Sequence, residues 1–455
     1  MRQPLDPATA ECLQLPRVRS TKLSVVLPIW GTDHNLDRLI PSLREDLGPS
    51  VPLPEIVACV GPGDRDASAV AERLGATVVR AEGEGYGEIL RAGLAAATGR
   101  YVVTMDSDFS HRPGYIRTMW FHRDRGEVLI GSRYVPGAYA EMRFPRKTLS
   151  RLLNLLYRKI LALPYRDLSS GFRMYGRGVL EDVGLPVGRG LDVLPEMIVR
   201  AYSQGWRIAE VPFWYQGTRP FTRIRMLRLG LGFMRALGKL FALRNSVKAA
   251  DYDHRAFDSW IPLQRHWQRA RFRIVHDFVP DHGRILDIGC GSSRIVQTMP
   301  RAVGMDMAIR KLRWLRGPGR LLLQGDMNHV PFGDGSFDTV VCSEVIEHIP
   351  RDQVHLAELV RVLRPGGALV LGTPDYGRRL WRTLEWIYGR LFPGGYVKEH
   401  INRYTHQELR EELEGLGLDV LDCRYVGRSE MIFRARLAEV KGLVRAPSVH
   451  ATAGA

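Results

Sequence analysis

Short apolar runs alternate with amphipathic stretches over two separate parts of the chain, about 21–215 and about 283–434. Residues 22–29 form an apolar run closed by Pro28 and Gly31, which predicts a buried parallel strand. Residues 55–60 and 76–80 predict a second and a third strand, 88–98 have helical spacing, and 101–105 predict another buried strand. Such alternation predicts an α/β fold with a parallel sheet. The second part follows the same logic, with strands expected at 284–288 and 302–305. Between them, 223–278 is helical in pattern, basic first and then carrying Trp260 and Trp267.

At 455 residues the chain is too long for one ordinary core. It is expected to divide into α/β domains at 21–222 and 257–440, joined by a basic amphipathic linker at 223–256, with flexible ends at 1–20 and 441–455. Apolar content of 45% and charged content of 25% are those of a globular protein. The five cysteines, Cys12, Cys59, Cys290, Cys342 and Cys423, are odd in number and lack paired spacing. That argues for reduced thiols, against a disulfide framework or a cysteine zinc site. Residues 1–20 lack the apolar core of a signal peptide. The best candidate for a membrane span, 227–243, is interrupted by Arg228, Arg235 and Lys239. The expectation is a cytoplasmic protein that does not span a membrane.

The net charge of +16 changes this picture because it is unevenly placed. Between Glu141 and Asp167 there are seven bases and no acid, and from 211 to 250 eight bases and no acid. In the first segment Leu149, Leu152, Leu153, Leu156 and Ile160 recur at helical spacing with cations between them. Basic amphipathic helices suit an anionic membrane surface, here the inner face of the cell membrane; the alternative is a helix packed on its own domain with a solvated basic face. Cations interleaved with long aliphatics, rather than with stacking aromatics, argue against nucleic acid as the partner.

The chemistry of the second part begins at Arg284-Ile285-Leu286-Asp287-Ile288, followed at once by Gly289-Cys290-Gly291-Ser292. Glycines at a strand end let the backbone approach a ligand closely, and a second strand ends in Asp306, a carboxylate able to accept both ribose hydroxyls. Gln324-Gly325-Asp326-Met327, Pro331-Phe332…Phe337-Asp338, Glu344-Val345-Ile346-Glu347-His348 and Leu363-Arg364-Pro365-Gly366-Gly367 follow in order. Over about 277–433 this series resembles the class I S-adenosylmethionine-dependent methyltransferases of type 11. The resemblance implies a Rossmann-like fold with a mostly parallel sheet. It also implies that Asp287, Gly289 and Gly291 lie against methionine and ribose, that Asp306 holds the ribose, and that Asp326 and Met327 flank adenine. Ser292-Ser293 stand where many members carry a third glycine. Methyl transfer to a hydroxyl is helped by a base, for which His348 and His400 are the candidates. The insertion 376–397, with Trp381, Trp386, Tyr388 and Phe392, reads as an acceptor lid.

In the first part, Gly83-Glu84-Gly85-Tyr86-Gly87 precedes a helix, and the strand at 101–105 ends in Asp106-Ser107-Asp108. Two carboxylates so placed can bind a divalent ion that neutralises a diphosphate. With Gly131-Ser132-Arg133-Tyr134 and Asp167-Leu168-Ser169-Ser170-Gly171-Phe172-Arg173, the set resembles GT-A glycosyltransferases of the dolichol-phosphate mannosyltransferase type (family 2) over about 23–215. The resemblance implies that Asp106 and Asp108 hold Mg²⁺ or Mn²⁺ with a GDP- or UDP-linked sugar, that Arg133 meets a phosphate, and that Arg173 shapes the acceptor side. A polyprenyl phosphate or glycolipid acceptor is implied too. Cys59-Val60-Gly61-Pro62 stand where the family has Asp-Asp-Gly-Ser, Thr32 and Asp33 where it has an acid, and the basic signature at 218–223 keeps only Arg219 and Arg223. Together these readings predict a bifunctional enzyme that transfers a sugar and methylates a related glycolipid or glycan. The alternative is a methyltransferase whose first domain only binds lipid or glycan.

Overall fold

The computed structural model describes residues 23–31, 34–217, 223–299, 301–391 and 400–439. The expectations for both chain ends, for Thr32 and Asp33, for Arg219, and for the end of the insertion with Phe392 fall outside the described residues. The chain divides into two compact units, Met1–Ala249 and Ala250–Ala455.

The first unit runs β1 (Leu23–Ile29), α1 (Leu36–Glu45), β2 (Glu55–Val60), α2 (Arg65–Arg73), β3 (Thr77–Arg80), α3 (Tyr86–Ala96), β4 (Tyr101–Thr104), α4 (Gly114–Phe121) and β5 (Val128–Ser132). It continues with β6 (Tyr139–Glu141), α5 (Phe144–Ile160), β7 (Arg173–Gly176), α6 (Arg177–Val183), α7 (Val193–Ser203), β8 (Ile208–Pro212), β9 (Trp214–Gln216) and α8 (Arg223–Arg244). The main sheet has the order β3-β2-β1-β4-β7-β5-β8 and is parallel except for β7, which is antiparallel to both neighbours. All seven residues of β1 are buried, as expected for a parallel strand covered by helices on both faces. Because the order turns back at β1, a crevice opens beyond the carboxyl ends of β1 and β4, where α/β sheets place ligands.

Two elements differ from what the pattern alone suggests. Helix α5 turns Asn154 and Tyr157 inward and leaves Leu149, Leu152, Leu155 and Ile160 exposed. The polar Asn154 anchors it: its amide donates to Ser169 Oγ (2.9 Å) and its oxygen accepts from Leu168 N–H (2.7 Å). Helix α8, in the stretch expected as a linker, packs on the first unit through buried Phe233, Leu237 and Leu240. Tyr157 donates its hydroxyl to the Phe233 carbonyl, and buried Arg244 donates Nε to Leu161 O at 3.0 Å. No helix among the described residues is long and apolar enough to cross a membrane.

The second unit runs α9 (Tyr252–Phe257), α10 (Pro262–Phe278), β10 (Ile285–Ile288), α11 (Ile295–Thr298), β11 (Ala302–Asp306), α12 (Ile309–Leu315), β12 (Leu321–Gln324) and β13 (Phe337–Ser343). Then come α13 (Leu356–Arg361), β14 (Leu363–Pro374), α14 (Arg379–Leu391), α15 (His406–Gly415), β15 (Leu418–Val426) and β16 (Glu430–Leu437). Its sheet has the order β12-β11-β10-β13-β14-β16-β15, with β16 antiparallel to β14 and β15 and the remaining pairs parallel. Here the order turns back between β10 and β13, and the crevice lies beyond their carboxyl ends.

Candidate active sites

In the first unit, Asp106 and Asp108 leave the carboxyl end of β4 at the crevice. Phe109, held at φ 63° with Arg38 over its ring at 4.1 Å, makes the sharp turn that lets Asp108 Oδ1 accept from Ser110 N–H at 2.9 Å. Behind them lies a buried histidine to which the sequence assigned no role. The Asp106 N–H donates to His111 Nδ1 (3.1 Å), so that nitrogen carries the lone pair, and the ring stacks on Phe172 at 5.2 Å. Burial lowers the proton affinity of His111 against the pull of Asp106 and Asp108, so His111 is a neutral spacer. Partial desolvation pushes the Asp106 carboxyl up, His111 opposing and Asp108 adding to the effect, with the side chain still 37% exposed. Two hard oxygen donors that repel each other suit a divalent cation, which would relieve that repulsion.

Tyr86, the residue inside the glycine-rich stretch, points its hydroxyl at Asp106 Oδ1 (3.5 Å). The surrounding glycines serve close packing: a Cβ on Gly85 or Gly87 would meet the carbonyl oxygen of Arg189 or Gly188 at 2.3 Å. Arg133 and Asp167 form a buried bidentate pair, Nη2 to Oδ1 at 2.6 Å and Nε to Oδ2 at 2.7 Å, with Ser169 Oγ accepting from Nη2 at 2.8 Å. Most of the donor fork of Arg133 is thus engaged within the protein. Arg173, expected to shape the acceptor side, is fully buried instead. Its guanidinium donates to the carbonyls of Leu168 (2.7 Å) and Leu194 (2.5 Å), so it braces the 168–172 loop from inside and exposes nothing to an acceptor. Cys59 is a core residue packed where a Cβ on Gly93 would fall 2.1 Å from its sulfur.

In the second unit, a cavity of about 520 Å³ is lined by Asp253, Arg271, Asp287, Gly289, Gly291, Glu344, His348 and His400, among others. Gly289 and Gly291 have φ of 67° and 55°, so the turn after β10 needs residues that tolerate the left-handed region. Asp287 Oδ2 is buried with no hydrogen-bond partner, and burial together with Asp306 pushes the carboxyl up to about 8. Such an unpaired oxygen is open to a hydrogen-bond donor from a ligand. Asp306 Oδ2 accepts from Gly291 N–H (2.8 Å) and Oδ1 from Ala308 N–H (2.7 Å), each oxygen keeping a further lone pair. Asp306, Asp326 and Met327 lie outside the cavity lining. Asp326 Oδ1 accepts from Asn328 N–H (3.0 Å), and the Met327 side chain is part of the hydrophobic core.

Asp253, on α9, went unnoticed in the sequence because nothing links it in spacing to the glycine turn. Its Oδ2 accepts from Ser292 N–H (3.0 Å), Ser292 Oγ (3.2 Å) and Lys311 Nζ (2.9 Å). Within the Ser292-Ser293 departure, the Ser292 hydroxyl thus holds α9 over the turn. Arg271 also had no sequence signal. It binds Glu430 through two bonds of 2.6 Å and Glu344 at 3.1 Å; burial works against its charge, and the two carboxylates outweigh it.

His348 and His400 come together, ring centroids 5.1 Å apart, although 52 positions separate them (400 − 348). Burial, with His348 and Arg271 adding, pushes His400 down to about 3, so it is neutral and a weak base. Of the expected lid, α14 contributes Trp381 and Glu385 to the cavity lining.

Residues 24–184 match the family described as "Glycosyl transferase family 2", and residues 286–371 match that described as "Methyltransferase domain". A dolichyl-phosphate hexose transferase from Haloferax volcanii is 29% identical over 192 residues, covering 41% of this chain and 81% of the relative. A malonyl-[acyl-carrier protein] O-methyltransferase from Methylococcus capsulatus is 28% identical over 206 residues, covering 41% of this chain and 71% of the relative. Among solved structures, glucosyl-3-phosphoglycerate synthase from Mycobacterium tuberculosis in complex with uridine-diphosphate aligns with a TM-score of 0.40 and 20% identity, over 49% of this chain and 80% of that one. The chain thus joins, in order, a domain of the glycosyltransferase family 2 type with a GT-A fold and a domain of the class I methyltransferase type, which supports transferase chemistry in both and S-adenosylmethionine as the cofactor of the second.

Proposed function

We propose that the first domain moves a sugar from a GDP- or UDP-linked donor to polyprenyl phosphate at an anionic membrane surface, and that the second methylates the same or a related glycolipid. The observation that carries this reading is the outer face of α5. Phe144 is 80% exposed and Leu152 60% exposed, interleaved with Arg151, Arg158 and Lys159. Apolar side chains held in solvent among cations match an interfacial helix better than a packed one. The same helix reaches the site: Ser150 Oγ accepts from Tyr134 Oη (2.7 Å), and Arg146 Nη2 donates to Tyr215 Oη (2.9 Å).

Within the first site Asp106 and Asp108 would hold Mg²⁺ or Mn²⁺, which when bound neutralises the diphosphate leaving group. The chain's own groups fix the carboxylates: His111 takes the Asp106 N–H, and Tyr86 takes one side of its carboxyl. A phosphate acceptor is already anionic near neutral pH, so no general base is needed. In the second site Asp287 and the glycine turn would hold S-adenosylmethionine, which supplies an electrophilic methyl group; Asp306 would hold the ribose. The residues around His348 and His400 then position an acceptor against it, which is the larger part of catalysis for an in-line displacement. The buried Cys59 favours a second reading, in which the first domain binds lipid or glycan and transfers nothing.

Transfer from GDP- and UDP-sugars to polyprenyl phosphate in phosphatidylglycerol vesicles, read by mass spectrometry, separates the two readings. Product supports sugar transfer; absence of product with every donor, in the presence of Mn²⁺, supports the binding module. In the same assay the double variant Leu152→Glu/Leu155→Glu sediments with anionic vesicles at least about tenfold less, since each buried leucine contributes roughly 1.5–3 kcal/mol. Unchanged sedimentation removes α5 as the membrane face.

Gly171 gives a sharper local test. A Cβ there would sit 3.1 Å from Asp106 Oδ1 and 3.0 Å from Tyr86 Oη. Gly171→Ala therefore displaces the carboxylate by tenths of an ångström and slows sugar transfer by about tenfold, because small misplacements of a positioned group are costly. Methylation by the same variant is expected to be unchanged.

A further inference from the structure

Glu347, His348 and His400 each offer one ligand atom, and the three atoms lie within 4.8 Å of one another. The two segments that carry them are tied together by the backbone: the Glu347 carbonyl accepts from Ile401 N–H (2.9 Å) and Asn402 N–H (3.0 Å). Juxtaposition alone is weak evidence, but three further observations point the same way.

Glu385 Oε1 lies 3.1 Å from His400 Nδ1 and accepts from Tyr376 Oη at 2.7 Å. A carboxylate beside Nδ1 favours the proton on that nitrogen and the lone pair on Nε2, as in ligating histidines, with the Tyr376 hydroxyl also 3.1 Å from Nδ1. The Glu347 carboxylate is fully buried; Oε2 accepts from Thr373 Oγ1 (3.0 Å), while Oε1 has no hydrogen-bond partner. Finally, Glu344, Glu347 and Glu430 are gathered around the guanidinium of Arg271, and Glu344 is held at φ 61° in the left-handed region. That region is strained for a non-glycine residue, and such strain clusters at functional sites.

We propose that Glu347, His348 and His400 form a site for a first-row divalent metal ion at the wall of the methyltransferase cavity. Two imidazoles and one carboxylate favour Mn²⁺, Fe²⁺, Co²⁺ or Zn²⁺ over Mg²⁺ and Ca²⁺, which prefer oxygen donors throughout. Three protein ligands leave coordination positions for an oxygen of the methyl acceptor, such as a hydroxyl, whose proton the ion would loosen. That last role rests on the methyltransferase reading of the cavity; metal binding does not.

The test uses the full chain carrying Asp106→Asn, so that the first domain's carboxylate pair does not compete, after removal of metal with a chelator. Co²⁺ is titrated and its visible ligand-field bands are followed. One equivalent per chain is expected to bind, and His348→Ala and His400→Gln are each expected to weaken binding by about 100-fold or more. Glu385→Gln, which leaves all three ligands in place, is expected to weaken it by about 10- to 100-fold. S-adenosylmethionine binding, measured by calorimetry on every variant, reports that the domain is folded. Absence of Co²⁺ bands, or bands unchanged in both histidine variants that still bind S-adenosylmethionine, overturns the proposal. Failure of the parent to bind S-adenosylmethionine strikes the methyltransferase reading, while the Co²⁺ titration still decides the metal site.

Discussion

Asp106→Asn is expected to lower sugar transfer by about 10³-fold, a loss of roughly 4 kcal/mol of charge stabilisation, while S-adenosylmethionine binding stays within about twofold. The side chain sits at the crevice where β4 ends, beside Tyr86 and in front of His111. Asparagine keeps the shape and one oxygen, so only the charge and one ligand atom are removed. Stability should not suffer. Burial raises the folded-state pKa of Asp106, so the native state holds its proton more tightly than the unfolded chain does. Such a group lowers stability as pH rises through its range, and the amide removes that penalty. A variant that is as stable as the parent at pH 7 and inactive in sugar transfer separates chemistry from folding. Undiminished transfer by Asp106→Asn would mean that the carboxylate pair is a solvated turn.

The second large effect concerns Asp287. Its carboxyl is pushed up to about 8 by burial and by Asp306, so it is mostly protonated at neutral pH in the ligand-free protein. Holding a cationic amino group requires the carboxylate. Apparent affinity for S-adenosylmethionine is therefore expected to rise about tenfold between pH 6 and pH 7, in step with the ionised fraction, with proton release on binding. Calorimetry in two buffers of different ionisation enthalpy measures that release directly. The sign for stability is the reverse: the folded state binds the proton more tightly from the ordinary carboxylate range up to about 8, so the ligand-free domain loses stability as pH rises through that window. Asp287→Asn is expected to flatten that slope, to abolish the pH dependence of binding, and to weaken binding by about 100-fold, as removal of a buried charge-assisted partner does. A pH-independent affinity in the parent, or binding unchanged in Asp287→Asn, sinks the assignment.

Much of this was legible in the sequence because strand and turn signals are local. The apolar runs at 22–29 and 284–288, the Asp106-x-Asp108 pair and the glycines at 289 and 291 are read from neighbours in the chain, and β1, β10 and the left-handed turn stand where those signals lie. The departure at Ser292-Ser293 was visible too, but the partner of Ser292 was not, since Asp253 lies 39 positions away (292 − 253) on α9. Arg173 shows the converse error. A basic residue in a motif reads as a ligand contact, whereas its carbonyl partners, Leu168 and Leu194, become visible only once the chain has folded around it.

By itself, then, the sequence determined the two α/β domains, their order and the carboxylates at the strand ends, because periodicity and short motifs act over a few residues. Tertiary structure decided which charges are neutralised from within and which are left to a ligand. Arg133 is closed by Asp167, and Asp287 Oδ2 is left without a partner. It also decided that α5 shows Leu149, Leu152 and Leu155 outward and that His400 meets His348 with Glu385 behind it. Burial and pairing depend on groups brought together from distant parts of the chain, and desolvation sets both proton affinity and the demand for a partner.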